Sequence, residues 1–192
     1  MKTLFALPLA ALLAGASAPA LAAGRDIGAA EREGMAIVAR YIQAVEVESG
    51  EEPGQKPAQP AGGHGGHAGH GGPADAHLEA LITATRDNAY GFFPGAFVPY
   101  LQVEYIVRKQ GSAWVGDGVL KPMIASDGPH YAANLLLDGP GKYTVELIVA
   151  PPSPKVFPRH LDKETGAKPW WTPVTLEWGF TFVGSTGKKG GY

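Results

Sequence analysis

The run Val174-Thr175-Leu176-Glu177-Trp178-Gly179-Phe180-Thr181-Phe182 decides the fold. Every second residue from Val174 to Phe182 is apolar, and Thr175, Glu177 and Thr181 stand between them. Side chains of a strand alternate between two faces, so this period of two reads as a half-buried strand over 174–184. The same period recurs further out. It is carried by Tyr143, Val145, Leu147 and Val149 within 142–150, and by Leu101, Val103, Tyr105 and Val107 within 100–108. Leu78, Ala80, Ile82 and Ala84 carry it within 76–86, and Met35, Ile37, Ala39, Tyr41, Val45 and Val47 within 35–47. Shorter apolar runs at 119–125 and 131–137 add two strands, and Asp138-Gly139-Pro140-Gly141 supplies a hairpin turn. A helical turn within 31–40 is the rival to the start of the first strand, and no long helix is expected. The pattern predicts an all-β protein, an immunoglobulin-like antiparallel β-sandwich of about seven to nine strands. A small β-barrel is the alternative.

The N-terminus reads as a signal peptide over 1–22. Lys2 gives the positive n-region, 4–13 the short apolar core and Ala20-Leu21-Ala22 the cleavage motif. The mature chain, 23–192, is then one domain, exported and without a membrane anchor. It contains no cysteine, so neither a disulfide nor a lipid on cysteine holds it. Without Lys2 the net charge is near −3, which lacks the basic stripe that nucleic acid requires. Residues 49–75 are rich in Gly, Pro and Ala and read as a long loop or insertion that cannot bury enough surface to order itself. Residues 185–192 read as a loose tail.

Six histidines occur, and three of them, His64, His67 and His70, lie in the low-complexity stretch as a candidate metal-capturing tract. The other three are His77, His130 and His160. His77 shares a strand face with Glu79, because residues two apart point the same way. Met123 and His130 flank a turn expected from Ser126, Asp127, Gly128 and Pro129, where they can share an ion. His160 sits in a proline-rich loop beside Arg159 and Asp162, which are expected to hydrogen-bond its ring.

Several of these stretches also resemble a known family. Ala76-His77-Leu78-Glu79-Ala80, Val98-Pro99-Tyr100-Leu101, the run from Pro122 to Tyr131, Pro151-Pro152, the run from Arg159 to Gly166, and Trp170-Trp171 are similar to the periplasmic iron-transport proteins. That family accompanies an inner-membrane iron permease and binds copper and iron. The resemblance implies a homodimer of immunoglobulin-like sandwiches with a copper site near the dimer interface. It implies that His77, Glu79, Met123, His130 and His160 are the metal ligands. Two positions depart from the family's pattern: Lys121 stands where a second methionine is frequent, and Leu81 where an acid is frequent. A cation at Lys121 predicts one metal ion here and not a pair.

Imidazole, thioether and carboxylate together suit copper in both oxidation states and also iron. A blue-copper centre needs a cysteine thiolate and is excluded, and structural zinc is disfavoured for the same reason. No catalytic acid, base or nucleophile stands out, so the chain is expected to bind and not to catalyse. The leading expectation is a periplasmic copper- and iron-binding protein serving iron uptake with a permease. The alternative is copper storage or tolerance through the histidine tract.

Overall fold

The computed structural model describes residues 24–48 and 74–185. Eight strands run in chain order: β1 (Arg25–Arg32), β2 (Met35–Ile42), β3 (Ala76–Ala84), β4 (Gln102–Lys109), β5 (Val115–Ala125), β6 (Gly128–Leu135), β7 (Gly141–Ala150) and β8 (Val174–Phe182). All pairings are antiparallel, in the order β1-β2-β3-β6-β5-β4-β7-β8. No helix occurs among the described residues. The all-β sandwich expected from the period of two is therefore present.

β5 makes the corner of the sandwich. Its first half, through Leu120, pairs with β4, and its second half, from Lys121, pairs with β6. One strand thus belongs to both layers. At the other side Gly28 of β1 tucks under Trp178 of β8, where an added Cβ would lie 2.3 Å from the indole Cδ1. Only glycine allows that approach, and it nearly closes the sheet.

The core lies between the layers and follows the predicted parity. Ile37, Ala39, Leu78, Ala80, Ile82, Val103, Tyr105, Val145, Leu147 and Leu176 all point inward and are buried. Trp114 packs back edge-on against Tyr143, at 5.8 Å between ring centroids. Tyr131 is fully buried, and its hydroxyl donates to the Val98 carbonyl at 2.8 Å and accepts from the Leu101 amide at 2.9 Å. Burial pushes that hydroxyl up to about 12. The Val98-Pro99-Tyr100-Leu101 segment is pinned to β6 in this way.

Four features differ from the sequence expectation. β1 is an added strand, which has few large apolar residues and so leaves no alternating trace. Residues 31–40 form the end of β1, a turn and most of β2, with no helical turn. β2 stops at Ile42, five residues short of the expected end, and 43–48 leave the sheet. β5 begins at Val115, four residues before the expected start at 119, where Gly116 and Gly118 make room for the rings of Trp114 and Tyr105.

Candidate metal centre

The candidate ligands occupy the outer face of the β2-β3-β6-β5 layer, opposite the core. Register fixes this. Leu78 and Ala80 face the core, so His77 and Glu79 between them face outward. On β6, Tyr131 and Ala133 belong to the core cluster, so His130 and Asn134 point outward as well. An outer face is ordinarily wet. Here His77, Glu79 and His130 are only 2%, 3% and 4% exposed. The cover is the segment after β2: Val45, Glu46 and Val47 fold over the sheet and line a cavity of about 290 Å3 with His77, Glu79, Met123 and His130. The early end of β2 therefore has a use, since those residues form a roof in place of more strand.

Asn134 fastens the roof and orients a ligand at once. Its Nδ2 donates to the Val45 carbonyl at 2.9 Å, which fixes Oδ1 as the acceptor. That oxygen takes the Nδ1–H of His77 at 2.8 Å and the Val45 amide at 3.4 Å. The tautomer follows: the lone pair of His77 is on Nε2.

The β5–β6 hairpin carries the next pair. Ala125 pairs with Gly128, so the turn is only Ser126-Asp127, and Gly128 and Pro129 already belong to β6. The four-residue turn expected from the sequence is thus a two-residue one. Gly128 takes a φ of +123°, a value that side chains disfavour. Met123 lies directly opposite His130. The His130 Nδ1–H donates to the Gly128 carbonyl at 3.1 Å, again placing the lone pair on Nε2. His77, Glu79 and His130 each offer an atom within 4.8 Å of the others, a geometry that can hold a metal ion. The rings of His77 and His130 stand nearly perpendicular, 6.1 Å apart.

His160 is elsewhere. It is exposed in the 151–173 loop, outside the group formed by His77, Glu79 and His130. That loop is anchored by aromatic packing of Phe157 on Trp170 and of Tyr90 on Trp171, at 6.3 and 4.8 Å. The ring partner of His160 is Thr165 and not the expected Arg159 or Asp162. Thr165 donates its hydroxyl proton to Asp162 at 2.7 Å and accepts from His160 Nδ1–H at 2.8 Å. Arg159 instead reaches the Ala167 carbonyl, and the Asp162 carboxylate stays 3.9 Å from the ring. All three histidines outside the tract therefore hold Nδ1–H against an oxygen and carry the lone pair on Nε2. His64, His67 and His70 lie outside the described residues.

Three participants, Asn134, Arg40 and Glu46, were not singled out in the sequence. Arg40 alternates with the core residues of β2 and so falls on its other parity. It is buried, directly across from Glu79, and bonds both Glu79 and Asp127. Burial opposes its charge, but the hydrogen bonds it donates to Asp127 and Glu79, with the attraction of their charges, more than offset this and hold its pKa above the usual value. The Arg40 hydrogen bond in turn holds Asp127 below the usual carboxylate range. Lys121, by contrast, is exposed at the rim with Val47 and Glu48, so the cation that touches the centre is Arg40. Glu46 also lines the cavity, and only the irregular course of 43–48 puts it there.

Comparisons with known proteins agree with one another. A family described as "Fe2+ transport protein" matches residues 22–184. A UPF0423 protein of Brucella abortus is 46% identical over 162 residues, covering 83% of this chain and 80% of that protein. The 34 kDa membrane antigen of Treponema pallidum is 36% identical over 160 residues, covering 80% of this chain and 68% of the antigen. Among solved structures, FetP of uropathogenic Escherichia coli, expressed in the periplasm, superposes with a TM-score of 0.69 at 34% identity, over 84% of this chain and 97% of that one. Copper-reconstituted P19 of Campylobacter jejuni gives a TM-score of 0.70 at 33% identity, over 84% and 98%.

Proposed function

The chain belongs to the Fe2+ transport protein family, and from that premise we propose that it is an exported copper-binding accessory to iron uptake. It holds copper at His77, Glu79, Met123 and His130, takes iron as cargo at the same centre or beside it, and passes iron to an inner-membrane permease. The carrying observation is the buried group of two imidazoles and a carboxylate with both imidazole lone pairs on Nε2. The donor set fits the metal: neutral imidazole and thioether suit copper, and carboxylate suits iron. Among the described residues no helix is long and apolar enough to cross a membrane. His160 is assigned to the site of a second copy, as the ligand that a homodimer adds. Its exposure and its fixed tautomer support that role. The protein binds and hands over, and catalysis is not assigned to it.

Growth tests the role. A strain lacking the protein is expected to grow poorly under iron limitation, with recovery on wild-type complementation and none with His77→Ala. Normal growth under iron limitation together with sensitivity to excess copper would replace this reading by copper storage.

The histidine–asparagine contact gives a biochemical expectation. Asn134→Ala removes the acceptor that sets the His77 tautomer and unfastens Val45. Copper affinity is expected to fall about 10- to 100-fold, the usual loss when a ligand's orienting partner is removed. A competition titration against a chelator measures it, and unchanged affinity would take Asn134 out of the site.

A further inference from the structure

Arg40 places a positive charge where a metal centre has its carboxylates. The guanidinium comes from β2, opposite Glu79, on a residue that is buried. Its Nε donates to Glu79 Oε2, and its Nη2 donates to Asp127 Oδ2 at 2.7 Å. The second oxygen of Glu79, Oε1, faces His77 Nε2 at 3.9 Å. One carboxylate is thereby divided: one oxygen toward the imidazoles, the other committed to the guanidinium. Glu79 and Asp127 arrive from different elements, β3 and the β5–β6 turn, and Arg40 links them.

Two carboxylates converging on one buried point ordinarily call for a cation, since an uncompensated buried charge is costly. A planar guanidinium with its fork of donors meets that need at two oxygens. It also leaves Glu79 able to give only one oxygen to an ion at the histidines, and it repels any further ion brought between the carboxylates.

We propose that Arg40 is a resident cation that fills a carboxylate subsite made by Glu79 and Asp127, restricts the adjoining histidine centre to a single metal ion, and on removal yields that subsite to a second, oxygen-preferring divalent ion. Arg40 is a positioning residue, acting through Glu79. The inference rests on the metal site proposed above at His77, Glu79 and His130.

The test is metal stoichiometry of the full mature chain, with Cu2+ reporting the histidine centre and Mn2+, visible by electron paramagnetic resonance, reporting oxygen donors. Wild type is expected to take one Cu2+ per chain and no Mn2+ above background. Arg40→Gln and Arg40→Leu are expected to take one Cu2+ and one Mn2+. Arg40→Lys, which keeps the charge, is expected to behave as wild type and exclude Mn2+. Folded Arg40→Gln and Arg40→Leu proteins that take no Mn2+ would overturn the proposal, as would Mn2+ bound by wild type. If neither neutral variant folds free of metal, refolding in Mn2+ decides: recovery of the fold supports the proposal and failure to recover overturns it. A wild type that takes no Cu2+ sinks the histidine site instead, and the Mn2+ arms still judge the subsite.

Discussion

His130→Ala is expected to lower the copper affinity of the purified protein by more than about 100-fold, since loss of a ligand exceeds the 10- to 100-fold cost of losing its orienting partner. That is more than about 2.7 kcal/mol of binding free energy. The reason is local. His130 is buried, its ring is fixed by the Gly128 carbonyl, and it stands opposite Met123 on a hairpin with no slack in its two-residue turn. Neither Asp127 nor Glu46 replaces it as an equivalent donor: Asp127 is held by Arg40, and Glu46, which also lines the cavity, offers a carboxylate in place of an imidazole. Met123→Ala removes one half-buried thioether and is expected to cost less. Because His130 faces away from the core, its replacement leaves the β-sandwich spectrum by circular dichroism unchanged. Equal affinity in wild type and His130→Ala, measured by competition titration, would remove the hairpin from the site.

Glu79→Leu is expected to cost the metal-free protein about 3 kcal/mol of folding stability, the low end of what breaking a buried ion pair costs. Both side chains are enclosed, at 9% exposed for Arg40 and 4% for Glu79. Removing the carboxylate leaves the guanidinium buried with one partner, Asp127, which keeps the loss from being larger. The double replacement Arg40→Met with Glu79→Leu is expected to regain most of it, because an apolar pair of similar volume replaces a buried ion pair at little net cost. Urea denaturation of the three proteins checks both. A single variant as stable as wild type would mean that the pair is solvated in solution.

Much of this was legible in the chain because period two is a strong signal wherever one face is buried. β7 and β8 were readable from Tyr143, Val145, Leu147, Leu176 and Phe182, and parity alone put His77 and Glu79 on one face. β1 was not readable, because a strand made of small and charged residues against Trp178 carries no apolar alternation. The roof over the site was hidden for a different reason. Val45 and Val47 continue the strand parity of β2, and only the non-local bonds of Asn134 to Val45 show that the chain has left the sheet. Arg40 was hidden likewise: a lone arginine between apolar residues looks solvated until its cross-strand neighbour and a distant turn both prove acidic.

The order in which the ligands come together follows from the hairpin. Met123 and His130 are neighbours across one short turn, and hairpins of this kind close in about 1–10 μs. His77 and Glu79 join them only when β3 docks on β6, with all of β4 intervening in the chain, and such distant pairings form later. A folding chain therefore brings Met123 and His130 together first, as two points of the set, before the other candidate ligands arrive. The set closes when β3 pairs with β6 and Asn134 fastens Val45 over it, so at the metal site proposed here retention against a chelator is expected to read out completed folding.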